Sequence, residues 1–479
     1  MSSKATLLAA AVLCAALAPR PAAATTRELA EIPKFRLTFG QSVLNQLTYE
    51  TYRDPFDELQ TRPYNLLFGG IARHANLTPW PGQEGGYARY VDALIGNNAA
   101  ANVDNDADAI GGSMIRRETG NIAWGVSAAF LTGSTTSDDA NGTITFNDEN
   151  DLTGLDVRGG AAFQLGESRV LGAGVQAIFA DRSITEKNFE PGVGGFFGSD
   201  TFEQLSFSGD VGLRTFLAND SSWDIQVVAG LSSDESDSHS DTIDDTGAVT
   251  DRFVSSHLEI DDLTAGVTGG YNKLHRERAG ETEYRGGLVW TQRKLGNSAL
   301  SYSQTGGVTT PENTLVGQDP ITTKELFGSA KTIFQAGETE MFAGARLGYR
   351  IVDGATQVDA AGTLVSEAID DTEARLTLVL GIRQPIFRDK LRVIVSGRGD
   401  LSSLETKTTF DTGSDDDRAS HSDAQYAIGL EGVLANVTLD LAWLAGEEAA
   451  VVPVPIGVPS GSRRTVQLDR LVFSAAVSW

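Results

Sequence analysis

The sequence predicts an all-β protein, a transmembrane antiparallel up-and-down β-barrel of about 16 strands, within a range of roughly 14–18. Three observations lead there. Apolar residues recur at every second position through many segments, and the connections between those segments alternate between tight turns and long polar stretches. Beyond residue 24, no run approaches the roughly 20 consecutive apolar residues that a membrane helix requires.

The first 24 residues stand apart from this pattern. Lys4 precedes an apolar, alanine-rich run from Leu7 to Leu17, and Ala22-Ala23-Ala24 supplies a small-residue cleavage signature. Residues 1–24 are therefore expected to be a cleaved export signal. Cys14 lies within it, preceded by Leu13 where a lipidation motif needs a small residue. It is the only cysteine in the 479 residues, so the mature chain is expected to hold neither disulfides nor thiol metal ligands. The formal net charge of −26 becomes two units more negative when Lys4 and Arg20 leave, and nucleic acid is excluded as a partner.

Period two is clear along the mature chain. Ile122, Trp124, Val126, Ala128 and Phe130 alternate with small or polar residues. Leu155, Val157, Ala161 and Phe163 alternate against Asp156, Arg158 and Gln164. Trp223, Ile225, Val227, Ala229 and Leu231 repeat the pattern against Asp224 and Gln226, as do Val437, Leu439, Leu441 and Trp443 against Thr438 and Asp440. Soluble sandwiches also alternate, so the connections decide which solvent meets the apolar face. Tight turns at 118–121, 165–168, 218–221, 336–338 and 388–390 alternate with acidic stretches rich in Gly, Ser and Thr at 133–154, 181–204, 232–262, 292–324, 353–373, 402–423 and 445–467. Short turns on one side and long loops on the other are the arrangement of outer-membrane barrels.

The barrel is assigned to 64–479, with a first strand beginning at Tyr64 and a long first loop from Asn76 to Ala109. Residues 25–63 become a periplasmic or plug segment, although Phe35 to Phe39 has the pattern of a strand. Folding back into the lumen is an option for this segment and for the first loop. About 16 strands place both termini on the periplasmic side and enclose a channel rather than a side-chain-filled core.

At the C-terminus, Leu471, Phe473, Ala475, Val477 and Trp479 alternate with Val472, Ser474, Ala476 and Ser478. This resembles the terminal recognition strand of Gram-negative outer-membrane β-barrels of the porin-like kind. The resemblance implies a bacterial outer-membrane location, contact with lipid and lipopolysaccharide, and Phe473, Val477 and Trp479 as the signal read by the barrel-assembly machinery. Large barrels of this kind often form homo-oligomers, but no interface is marked in the sequence.

If the apolar phase faces lipid, the opposite phase lines the pore. That set comprises Arg158, Arg214, Arg285, Lys331, Arg346, Arg350, Arg375, Arg383, Arg392 and Arg398, against Asp156, Asp210, Asp224, Asp400, Glu431 and Asp440. An arginine facing lipid near the midplane costs about 2–4 kcal/mol, so this many in phase argue for a wet interior. The basic members crowd between Lys331 and Arg398, which suits either anion preference or bracing of the wall by inward ion pairs.

No catalytic, cofactor or metal site is expected. Of the five histidines, His74, His239, His257, His275 and His421, three fall in or beside acidic, Ser-rich stretches, and His421-Ser422-Asp423 is adjacency rather than triad geometry. Asp104, Asp106 and Asp108 have the opening spacing of an EF-hand loop, but Ala109 stands where glycine is needed and Ile115 where the bidentate Glu belongs. Asp234 to Asp245 and Asp415 to Asp417 are candidates for loose divalent-cation binding.

The leading functional expectation is an open channel for passive diffusion of small hydrophilic solutes, with an anion preference. The alternative is a plugged or gated transporter of hydrophobic compounds that resembles the long-chain fatty-acid transporters. Those have about 14 strands and an N-terminal hatch, a role open to residues 27–63, although the hatch's usual Asn-Pro-Ala is missing. A structural or adhesive barrel is a third possibility.

Overall fold

The computed structural model describes residues 59, 62–68, 72–80, 102–119, 121–141, 144–190, 194–243, 249–275, 280–295, 299–304, 308–314, 321–353, 357–358, 364–365, 368–387, 390–410, 413–450 and 464–478. The expected export signal, the possible strand at Phe35 to Phe39 and Trp479 lie outside them.

A 3₁₀ helix, Pro63–Phe68, comes first. It is followed by β1 (Ala72–Trp80), β2 (Asn102–Thr119), β3 (Ile122–Asn141), β4 (Ile144–Leu165), β5 (Arg169–Glu190), β6 (Gly194–Phe216) and β7 (Ser221–Ile243). Next come β8 (Val249–His275), β9 (Gly280–Leu295), β10 (Ala299–Gln304), β11 (Val308–Thr314), β12 (Ile321–Ala336), β13 (Thr339–Asp353), β14 (Gln357–Val358) and β15 (Leu364–Val365). The last are β16 (Ala368–Phe387), β17 (Leu391–Phe410), β18 (Gly413–Leu434), β19 (Val437–Ala450) and β20 (Arg464–Ser478).

Eighteen of these strands form one sheet, and every pairing is antiparallel. The hairpin β10–β11 adds to the distal end of β8, and β14–β15 is a separate hairpin. Setting β10 and β11 aside leaves sixteen described strands in a ring, because β9 pairs with β12, β13 with β16, and β20 with β1 through Ala72 opposite Ser478. Closure satisfies every ladder edge, as a sheet in hydrocarbon must.

Burial alternates with the phase of the sequence. Along β7, Trp223, Ile225 and Val227 are exposed while Asp224 and Gln226 are buried; along β4, Leu155 and Val157 are exposed while Asp156 and Arg158 are buried. A closed barrel with its apolar side chains turned outward is stable only in a membrane, and the chain is an outer-membrane β-barrel. Val227, 56% exposed on this face, gives a direct check. Val227→Arg is expected to lower stability by about 2–4 kcal/mol in lipid vesicles, read by urea unfolding, while Gln226→Arg on the same strand escapes the lipid penalty.

Several sequence-based boundaries need correction. Tyr64 does not begin a strand but belongs to the 3₁₀ helix, so the segment inside the barrel extends past residue 63 to Phe68. The run Tyr64-Asn65-Leu66-Leu67-Phe68 lacks the period-two alternation of a lipid-facing strand. The span from Asn76 to Ala109 is not one loop, since β1 reaches Trp80 and β2 starts at Asn102, with Trp80 opposite Ala107. The acidic stretches are largely paired ribbon: β7 and β8 have 23 and 27 residues, far beyond the roughly 9–11 needed to cross. Ladder bonds come from the backbone, and Ser, Thr and Asp side chains in water do not prevent them. A turn at 434–437 joins those already expected. Asp220 and Ala435 adopt left-handed backbone there and in the β6–β7 turn, at φ 55 for Ala435 and φ 58 for Asp220.

Candidate functional site: the occupied mouth of the barrel

The segment formed by Leu59 and Arg62–Phe68 lies inside the barrel near the short-turn end, against β2 to β9. Pro63 opens the 3₁₀ helix with a φ suited to it, and Asn65 N–H donates to the Arg62 carbonyl at 2.9 Å. Leu59, Tyr64, Leu66 and Leu67 are buried in one apolar cluster with inward residues of the wall, Ile115, Ala123, Ala162 and Val170.

Glycines in the wall make the seat. A Cβ at Gly172 would fall 2.1 Å from the Tyr64 nitrogen, and one at Gly212 would fall 2.5 Å from the Tyr64 ring. Gly160 and Gly125 carry Leu59 in the same way, at 3.2 and 3.0 Å. A strand glycine often marks such a close approach by another backbone or side chain.

Polar contacts fix the segment in register. Arg158 Nε donates to the Leu59 carbonyl at 2.8 Å while its Nη2 pairs with Asp210, which also accepts from Gln226 at 3.0 Å. Gln176 donates to both Asp156 oxygens, at 3.0 and 2.9 Å. Arg214 Nη1 donates to Asn65 Oδ1 at 2.6 Å, and its guanidinium lies against the rings of Phe216 and Phe68, 5.0 and 5.6 Å from their centroids. The Tyr64 hydroxyl donates to Asp224 Oδ1 at 2.9 Å, the atom that Arg285 Nη2 reaches at 2.6 Å. Arg62 pairs with Glu283 at 2.8 Å, and Glu283 accepts from Arg285 at 3.2 Å. Burial pushes the Tyr64 phenol well above its ordinary range, so it is a neutral donor at any physiological pH.

The other half of the wall has no such guest among the described residues. Its inward arginines are paired: Arg346 with Glu325 at 2.9 Å, Arg350 with Glu373 at 3.6 Å, and Arg375 and Arg398 with Asp400 at 3.2 and 2.7 Å. Arg383 bridges Glu340 and Glu431, and Arg392 also meets Glu431. Asp440 accepts from Ser474 at 3.2 Å, and Lys331 lies directly across from Glu283 in the ladder. Between the Arg383–Glu431 group and the Asp400 group lies an apolar layer of Phe342, Val379, Ile394, Ala427, Ala442 and Val472, all buried. The expected basic wall is thus a set of ion pairs.

All sixteen inward residues named from the sequence share the phase opposite the exposed apolar rows. The structure gathers Arg158, Asp210, Arg214, Asp224 and Arg285 around the inserted segment, keeps Asp156 beside them on β4 against Gln176, and leaves the others on the far wall. Phe473 is exposed on the outer face of β20. His421, Ser422 and Asp423 are consecutive residues of β18, and Asp104, Asp106 and Asp108 lie within β2 rather than a loop. Tyr64, Asn65, Arg62 and Glu283 escaped sequence reasoning. The available signal was the inward glycines Gly160 and Gly212, each in phase with charged neighbours, and Gly172 between them in the ladder.

No protein-family model matches the chain, and no curated protein sequence does either. Among solved structures, the P. putida toluene transporter TodX is 11% identical with a TM-score of 0.41, over 92% of this chain and 99% of that one. The Ralstonia pickettii toluene transporter TbuX is 10% identical with a TM-score of 0.41, over 92% and 98%. A Pseudomonas aeruginosa FadL homologue is 10% identical with a TM-score of 0.41, over 89% and 94%. Similarity at this level leaves the function to be sought in the chain's own interior.

Proposed function

We propose that this barrel is a gated outer-membrane transporter of small hydrophobic compounds, closed by its own N-terminal segment. The seating of Leu59 and Arg62–Phe68 in the short-turn mouth carries this reading, because a wall that replaces side chains with glycine to admit a peptide is built around that peptide. Two further features support it over the open porin. The inward charges neutralise one another, which weakens the field an anion channel uses. The buried layer of Phe342, Val379, Ile394 and Val472 makes part of the inward face of the far wall apolar where a porin's wall is polar.

The test pairs two transport assays on refolded protein in vesicles. Entry of a hydrophobic fluorescent probe, N-phenylnaphthylamine, into the lumen should be accelerated over protein-free vesicles, while swelling in arabinose should stay at background. Rapid swelling in arabinose with steady ohmic steps in planar bilayers would restore the porin.

A further inference from the structure

Tyr64 is fully buried although it belongs to a short inserted segment. Its hydroxyl bonds to the wall, to Asp224 on β7 and Arg285 on β9. Its ring rests on Gly212, and its backbone on Gly172. The wall groups are also tied to one another. Arg285 binds Asp224 at 2.6 Å, Glu283 at 3.2 Å and the Thr268 hydroxyl at 3.1 Å. The slot is therefore assembled by β6, β7, β8 and β9, with a flat apolar floor and a hydroxyl acceptor at its end.

We propose that this slot is a binding site for a free, un-ionised monocyclic phenol, and that Tyr64 is its tethered occupant. Beyond its Cα, the tyrosine side chain is p-cresol. The Asp224 carboxylate accepts a hydrogen bond from the hydroxyl, and burial, with the Asp224 charge, disfavours a phenolate in spite of the nearby Arg285, so the neutral form is selected. An aromatic hydrocarbon fills the ring space but leaves Asp224 one donor short, and a buried acceptor deprived of its donor discriminates strongly. A tethered ligand has an effective concentration in the millimolar range, so a free phenol displaces Tyr64 only at comparable concentrations. Displacement would open the mouth. That step rests on the plug acting as a gate; occupancy of the slot does not.

Chemical rescue tests occupancy without transport. In detergent, Tyr64→Ala empties the slot, and millimolar p-cresol should raise its unfolding temperature by several degrees, with toluene giving less than a third of that shift. Tyr64→Phe keeps the slot filled and corrects for nonspecific effects, so it should show no such difference between the two compounds. Equal shifts from p-cresol and toluene in Tyr64→Ala, or none from either, would overturn the site. If Tyr64→Ala does not fold, maleimide labelling of Leu66→Cys in a Cys14→Ser background replaces it. Tens of millimolar p-cresol should speed labelling at least fivefold over toluene, and equal rates would refute the proposal. Rescue in an otherwise conductance-silent protein would uphold the site while counting against the gate.

Discussion

Gly172→Ala unseats the inserted segment and leaves the barrel standing. The new methyl would meet Tyr64 N at 2.1 Å, Tyr64 Cα at 2.5 Å and the Pro63 carbonyl carbon at 2.7 Å, and all three are backbone atoms that no rotamer change removes. The wall itself accepts alanine, since Gly172 is a regular strand position between Ala162 on β4 and Gly212 on β6. Overpacking of this kind costs about 1–3 kcal/mol where the surroundings yield, and more where they do not. The segment is the part that yields, so its unseated population should rise roughly 10- to 100-fold. Maleimide labelling of Leu66→Cys, buried in the parent, measures this, with heat-modifiable gel migration reporting that the barrel has folded. An unchanged labelling rate in folded protein would mean that the segment is not held in this seat.

Asp224→Ala should produce the largest gain in conductance. Asp224 accepts from Tyr64 and is paired with Arg285, and both side chains of that pair are largely buried. Removing one partner of a buried ion pair costs about 3–5 kcal/mol when the other charge is left uncompensated, and less here because Arg285 keeps Glu283, which Arg62 already engages. The barrel has a way to relieve this cost: expulsion of the segment lets water reach Arg285. Planar bilayers should therefore show open steps from Asp224→Ala where the parent is nearly silent. Asp224→Asn should fall between them, because its amide oxygen still accepts from Tyr64 but no longer balances the guanidinium. Silence from folded Asp224→Ala would remove Asp224 from the latch.

The wall was far more legible in the sequence than its guest. Trp223 to Val227 reveal themselves because lipid on one face and water on the other impose period two. The inward phase of Arg158, Asp210, Asp224 and Arg285 follows from the same constraint. Their partners do not, because Arg285 meets Asp224 across more than sixty positions of chain and Arg62 meets Glu283 across 221. The segment Tyr64–Phe68 packs against a curved interior with no repeating solvent boundary, and so it carries no period to read. The acidic ribbons misled for a related reason: charge and Ser/Thr content report contact with water, whereas strand pairing is a property of the backbone, which they do not record.

The length of those ribbons separates arrival from admission. On β8 the outward apolar residues run from Leu263 to Tyr271, while the strand begins at Val249. At about 3.3 Å per residue and a tilt near 40°, the paired wall rises roughly 35 Å above the lipid before it ends. A molecule from outside would enter a tall column at its rim and travel the whole of it before touching Tyr64 at the opposite mouth. Trimming the rim should change how often visitors come in, and altering the slot should change which of them leave on the far side.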